Sequence, residues 1–222
     1  MPDFIYSAEP GLLLGFHGCE KSVCDAIIAG KKSMKVSNNS FDWLGDGMYF
    51  WQNNYERAWH YANNPPGNLK IKKPAVLGAV FSLGNCLDLT DKQSLDIVKS
   101  AFDIYKDSFS AQGKTMPSNS NPSSDPYSKD LVIRRLDCAV IKTVHDLFHE
   151  LGEPPFDSVR ALFPEGRKLY TGAGFRASTH IQIAIRNPNM IKGFFLPRRG
   201  INWKGTPLPL VPPKKRASAS KK

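Results

Sequence analysis

The segment Thr179–Arg186 constrains the fold more than any other stretch of this chain. Ile181, Ile183 and Ile185 alternate without a break with His180, Gln182, Ala184 and Arg186. Successive side chains of a strand point to opposite faces, so the isoleucines predict one buried face and the other set a second, more polar one. Gln182 sits at the centre of that polar face. A side-chain amide buried without partners costs about 1–3 kcal/mol, so Gln182 must be paired or face a cleft.

The remaining elements follow from shorter patterns. Leu12 to Phe16 reads as a buried strand ending at His17-Gly18. Ser22 then caps a helix with Val23, Ala26 and Ile27 on one side, stopped by Gly30. After a polar stretch comes the aromatic run Met48 to Trp51. Asn53 with Glu56 opens a helix that puts Tyr55, Trp59 and Ala62 on one face, ended by Asn63-Asn64-Pro65-Pro66. Ala75 to Leu83 is apolar enough for a central strand, and Thr90 with Gln93 begins an amphipathic helix carrying Leu95, Val98, Phe102 and Tyr105. A helix from about Asp130 to Leu151 turns Leu136, Val140, Val144 and Leu151 inward, with Gly152 after its end. The last third reads as the strands Phe156 to Phe163, Thr179 to Arg186 and Ile191 to Leu196.

No repeat period and no regular alternation of strands with helices is present, which argues against a doubly wound parallel sheet. At 222 residues and 41% hydrophobic content the chain can bury one sizeable core. The expectation is one α+β domain over residues 1–203. Ser110 to Ser128, rich in Ser, Asn and Pro, reads as a mobile loop within it, and residues 204–222 as an unfolded basic tail. Four cysteines without a CxxC pair read as reduced and mostly buried. With no signal-like start and no run of roughly 18 apolar residues, the expected location is cytoplasmic, away from membranes.

Three segments combine unusual polar residues with strand-like surroundings: Gly15-Phe16-His17-Gly18-Cys19, Gly45-Asp46-Gly47-Met48-Tyr49-Phe50-Trp51, and Thr179-His180-Ile181-Gln182-Ile183. Each can be read without function: the histidine as a satisfied structural group, the glycines as turn residues, the aromatics as core. In this order, however, the first third resembles the poly(ADP-ribose) polymerase and diphtheria-toxin-like branch of the ADP-ribosyltransferases. The NAD-binding core of that family reads strand-His-Gly, a helix, Gly-x-Gly-hydrophobic-Tyr-Phe, then another helix. About 50 residues match closely, and the last third more loosely.

The resemblance implies an ADP-ribosyltransferase-like fold: two packed, mainly antiparallel sheets around an NAD cleft, with flanking helices. It implies that NAD is a substrate and that no metal is used. His17 would donate to an adenosine-ribose hydroxyl, Gly18 would offer its backbone to the nicotinamide amide, and Tyr49 would stack on the nicotinamide ring, with Phe16 and Phe50 beside them. Breaking the nicotinamide–ribose bond builds oxocarbenium character, which calls for acceptor or negative groups near the ribose. The family places a catalytic Glu at the start of a late strand. Here the candidates on the polar face are His180 and Gln182, of which Gln182 is chemically closer, and Glu165 in the preceding loop offers the missing carboxylate. Loss of that Glu goes with single transfer in the family, which argues against polymer synthesis.

The acceptor is read from charge. Lys and Arg number 30 against 20 Asp and Glu, a net +10, and Lys204, Lys214, Lys215, Arg216, Lys221 and Lys222 follow with no acid among them. With Arg176, Arg198 and Arg199 as substrate-binding candidates, this favours a nucleic acid, preferably single-stranded RNA or DNA, over a protein side chain. An NAD glycohydrolase, and an inactive module that only binds NAD or nucleic acid, stand as alternatives. The family analogy adds a toxin-like role restrained by an inhibitory protein. His145 and His149, four apart on one helix, have the spacing of a zinc pair, but no third ligand is evident.

Overall fold

The computed structural model describes residues 11–67, 69–121 and 130–200. The basic tail and residues 122–128 of the expected loop lie outside these residues. The chain runs β1 (Leu13–Glu20), α1 (Lys21–Ile28), β2 (Met48–Gln52), α2 (Tyr55–Asn63), β3 (Pro74–Phe81), β4 (Cys86–Asp88) and α3 (Lys92–Ala111). It continues through β5 (Asn119–Ser120), β6 (Ile133–Arg134), α4 (Arg135–Glu150), β7 (Ser158–Phe163), β8 (His180–Ile185) and β9 (Ile191–Phe195). The architecture is α+β, with a mostly antiparallel mixed sheet and four helices.

Seven strands form that sheet in the order β4-β7-β8-β2-β1-β3-β9, and only the β4–β7 pair is parallel. Two separate packed sheets are expected from the sequence, whereas this sheet is continuous because β2 pairs with both β8 and β1. The β1–β2 junction is narrow, registering Gly15 with Gln52 and Phe16 with Trp51. The two halves nevertheless close on each other. Ser158 of β7 donates to the Leu83 carbonyl just past β3, and Met48, Phe50, Phe81, Leu83, Ile183 and Ile185 form one buried cluster. Gly15 permits this, since a Cβ there would fall 2.5 Å from the Phe81 ring and 2.7 Å from Phe50 Cβ.

Helices α3 and α4 cover the opposite face at β7 and β8, burying Ala101, Val140, Ile141 and Val144 against Val159, Ala161, Phe163 and Ala184. Helix α2 covers β1 and β3 on that same face through Ala58, which packs with Trp51 and Val76. Helix α1 packs Cys24 and Ile27 on Cys19 and Leu77.

Several local expectations change. Strand β1 continues to Glu20 because β3 pairs with it as far as Glu20–Pro74, so His17 and Gly18 lie mid-strand. Ser22 lies inside α1, and Asn54, rather than Asn53, caps α2 by accepting from the Arg57 amide. The N-cap of α3 is Asp91, which accepts from the Ser94 amide. The buried stripe of α2 is Ala58 and Ala62, leaving Tyr55 and Trp59 substantially exposed. Leu95 and Leu151 are exposed as well. Ser110 belongs to α3, and Asn119 joins a small ribbon with Arg134 while its side chain accepts from the Leu136 and Asp137 amides at the start of α4. Ser110, Asn119 and Ser120 are therefore built into the fold.

Candidate active site

Register places Phe16, Trp51, Gln182 and Ala161 in one row across β1, β2, β8 and β7, on the face covered by helices. Gly18 brings α2 against β1: a Cβ on it would lie 2.3 Å from the Ala58 carbonyl oxygen. That close approach carries Arg57 over the row. From the other side, the turn after β7 delivers Glu165, which is 5% exposed. Arg57 Nη2 donates to Glu165 Oε2 at 2.8 Å. The turn is held by Ser178, whose amide donates to the Glu165 carbonyl, and by Gly166 at φ +82°, whose amide donates to Asp130.

His180 lies beneath this ion pair. Its Nδ1 donates to the Ser178 carbonyl at 2.8 Å and is 3.7 Å from Glu165 Oε2. Burial lowers its pKa to about 4, so the imidazole is neutral near pH 7 and its Nε2 carries a free lone pair. Burial pushes the Glu165 carboxyl up, opposed by the charge and hydrogen bond of Arg57. Trp43 stacks on His180 with ring centroids 6.2 Å apart, and the Arg57 guanidinium lies 5.9 Å from the centre of the Trp51 ring.

Trp51 Nε1, Arg57 Nε, His180 Nε2 and Gln182 Oε1 are all buried and have no hydrogen-bond partner among the described residues. Each such group costs about 1–3 kcal/mol when left unpaired. Near the Glu165 carboxylate, two donors (Trp51 Nε1 and Arg57 Nε) and two acceptors (His180 Nε2 and Gln182 Oε1) are thus left unpaired. Two cavities adjoin this site. The larger, about 690 Å³, lies toward α3 and α4 and includes Glu165, Trp43, Phe163, Arg134 and Arg176 in its walls. The Arg134 guanidinium there lies 4.4 Å from the Trp43 ring centre and 4.8 Å from that of Phe163. The smaller, about 480 Å³, lies along α2 and includes Asn54, Arg57, His60, Ser178 and Thr179.

His180 and Glu165 are thus brought together, Gln182 lies two residues along on the same strand face, and Phe16 shares the row of Gln182. Other candidates go elsewhere. Phe50 is fully buried in the core between the sheet halves, so it has no open face for a ligand. Gly18 meets α2 instead of lying open to a nicotinamide. His17 points to the opposite side of the sheet from Gln182, because it is one residue from Phe16. Its Nδ1 donates to the Tyr49 carbonyl at 2.9 Å, where the β1–β2 ladder has ended, and burial lowers its pKa.

Tyr49 is on the Gln182 face, but its ring packs into the cluster under α3 and α4. Its hydroxyl donates to the Gly45 carbonyl at 2.6 Å and accepts from the Leu44 amide at 2.9 Å, which fixes the turn before β2. Arg176 pairs with Asp130 and donates to the Gly166 carbonyl, bracing the Glu165 turn. Arg198 and Arg199 are exposed beyond β9, away from this cluster in sequence and in sheet order.

Arg57 and Trp43 escape the sequence reading, and Trp51 enters it only as the end of the Gly45–Trp51 segment. For Trp51 a signal exists, since it alternates with Tyr49 on the same strand face. Arg57 carries a weaker one, a cation adjacent to Ala58, one of the two small residues that the helix buries. Of the histidine pair, His149 is exposed while His145 is packed on Phe156 with both ring nitrogens unpartnered among the described residues. Among the described residues no group of three or more His, Cys, Asp or Glu is arranged to hold a metal ion, and no helix is long and apolar enough to cross a membrane.

No family model matches the chain, and no solved structure matches it. An uncharacterized protein of Methanocaldococcus jannaschii is 25% identical over 198 residues, covering 80% of this chain and 83% of that protein.

Proposed function

We propose that this chain is a mono-ADP-ribosyltransferase that transfers ADP-ribose from NAD to a macromolecule, preferentially a nucleic acid. The observation that carries the reading is the buried, partnerless Gln182 Oε1 on the same strand face as His180, whose Nδ1 lies 3.7 Å from Glu165 Oε2. The resemblance of the His17 and Tyr49 segments to ADP-ribosyltransferases supplies the reaction class, and the cluster supplies groups suited to it.

Transfer breaks the C1′–N bond of NAD, and its electron pair leaves with neutral nicotinamide. The ribose then carries oxocarbenium character, which a nearby carboxylate stabilises. Glu165 fills that role here. Gln182 Oε1 accepts from a ribose hydroxyl and orients the sugar, with no charge of its own. The acceptor's nitrogen or oxygen forms the new bond to C1′, and its proton passes to a base, the role we give to the His180 Nε2 lone pair. Arg57 is a positioning residue: its charge and hydrogen bond favour the ionised carboxylate and oppose the burial that pushes the Glu165 carboxyl up. An activity of this kind inside its own cell calls for restraint by an inhibitory protein.

The test is incubation with labelled NAD and cell lysate, followed by separate nuclease and protease digestion. Label lost to nuclease is expected. Glu165→Gln and Gln182→Ala should each slow labelling by about 10²–10³, the usual effect of removing one preorganised group. Label that survives nuclease and disappears with protease overturns the nucleic-acid acceptor, and full activity in both variants overturns the assignment of the site.

A further inference from the structure

An aromatic strip, half-buried at Phe195 and Phe16 and exposed at Tyr55 and Trp59, runs from the edge of the sheet to the candidate site. Phe195 on β9 lies flat over Gly78, where a Cβ would come within 2.5 Å of its ring. Its ring meets Phe16 edge-on at 6.1 Å, and Phe16 meets Tyr55 edge-on at 5.9 Å. Tyr55 and Trp59 are then parallel, with 9° between their planes and 6.4 Å between centroids, one helical turn apart on the outer side of α2. Tyr55 is 38% exposed and Trp59 40%. Trp59 stands at the rim of the smaller cavity, beside His60 and Arg57, and Arg57 holds Glu165.

Core packing does not account for the outer pair. Ala58 and Ala62 bury the inner side of α2, so Tyr55 and Trp59 contribute little to holding the helix down. The Phe195 end of the strip is basic, since Arg198 and Arg199 follow Phe195 by three and four residues and are exposed; at the far end Arg57 is paired with Glu165, and Glu56 is the acid nearby on the helix. Successive rings leading from exposed cations are what unstacked bases and their phosphates require, because every base offers a π-face and every linkage a negative charge. Double-stranded nucleic acid keeps its bases stacked on one another and cannot use such rings.

We propose that Phe195, Phe16, Tyr55 and Trp59 form a docking track for single-stranded nucleic acid. The track deepens the proposed function and rests on it only in treating the docked strand as the acceptor. A strand seated on Trp59 has its next nucleotide beside Arg57 and the Glu165–His180–Gln182 cluster. Recognition is tolerant of base identity, since stacking and phosphate contacts read no base edges.

The experiment is anisotropy of a labelled oligothymidylate with the full chain, without NAD, over a range of salt. Tyr55→Ala and Trp59→Ala should each weaken binding by about tenfold or more, while Tyr55→Phe and Trp59→Phe, which keep a ring, should bind nearly as wild type. Replacing Arg198 and Arg199 together by Ala should lower the salt dependence by about one to two phosphate contacts. An unchanged affinity in the Tyr55→Ala, Trp59→Ala double variant overturns the track. Equal affinity for duplex does so as well, as does full competition by polyglutamate, which marks a protein-like or purely ionic surface. Nicotinamide release from NAD by the wild type, measured without any strand, tests the transferase reading separately: its absence defeats that reading, and the strand measurements still decide the track.

Discussion

Arg57 and Glu165, 108 residues apart in sequence, meet at 2.8 Å and close the polar face of the sheet over His180 and Gln182. The carboxylate side chain is 6% exposed and the guanidinium 24%, so water screens the pair weakly. Burial alone would neutralise Glu165, and the arginine opposes that.

Arg57→Ala should therefore destabilise the fold by about 3–5 kcal/mol, because it leaves a buried charge without its partner. The double variant Arg57→Leu, Glu165→Leu should recover much of the loss. Urea unfolding midpoints of the three proteins check this, and a double variant as unstable as the single one would contradict it.

Acid should weaken the protein between about pH 6.5 and 4. His180 and His145 have folded-state pKa values lowered by burial, to about 4 and about 3, from an unfolded value of 6.5. The unfolded chain binds more protons in that window, so stability is lost as pH falls, by at most about 1.4 kcal/mol per pH unit for each histidine. Glu165 acts in the opposite direction. Its pKa is raised in the folded state, so its contribution favours folding at low pH and fades as pH rises through the folded value. A pH series of urea midpoints should be steeper for Glu165→Gln and shallower for His145→Leu than for wild type.

Gly18→Ala should cost about 1–3 kcal/mol or more, since its Cβ would lie 2.3 Å from the Ala58 carbonyl oxygen and rigid backbone must shift. The shift displaces Arg57, so labelling activity should fall with stability. Gly193→Ala has nothing within 4 Å of its Cβ and should change stability by less than about 0.5 kcal/mol. Thermal unfolding of the two variants side by side is the measurement.

Tyr49→Phe should lose about 1–3 kcal/mol by leaving the Leu44 amide and Gly45 carbonyl without the hydroxyl that joins them. Tyr49→Ala also removes a packed ring and should lose about 3–5 kcal/mol, so loss of activity in it does not separate catalysis from folding. Tyr49→Phe with a normal rate of NAD turnover would mark the hydroxyl as structural. A rate reduced beyond the loss of folded protein would give it a role in the reaction.

Short-range patterns in the sequence determined the helices and the longer strands, but not β4, β5 or β6. The alternation of Thr179–Arg186 became β8 at His180–Ile185, and Phe156 to Phe163 became β7, because a half-polar strand repeats every two residues wherever it lies. The same parity put His180 and Gln182 on one face and made the latter's buried amide visible as a problem to be solved. Parity could not say what covers that face. Glu165 was legible only as a carboxylate in a preceding loop, and its partner Arg57 lies on a helix whose contacts depend on how closely Gly18 lets it approach. Periodicity likewise grouped Tyr55 with Trp59 on α2, yet tertiary packing chose Ala58 and Ala62 for the buried side and left the aromatics outside. His17 shows the same limit: its opposite side of the sheet follows from the Phe16–Trp51 register, and registers between distant strands are set by which side chains the assembled sheet can bury together.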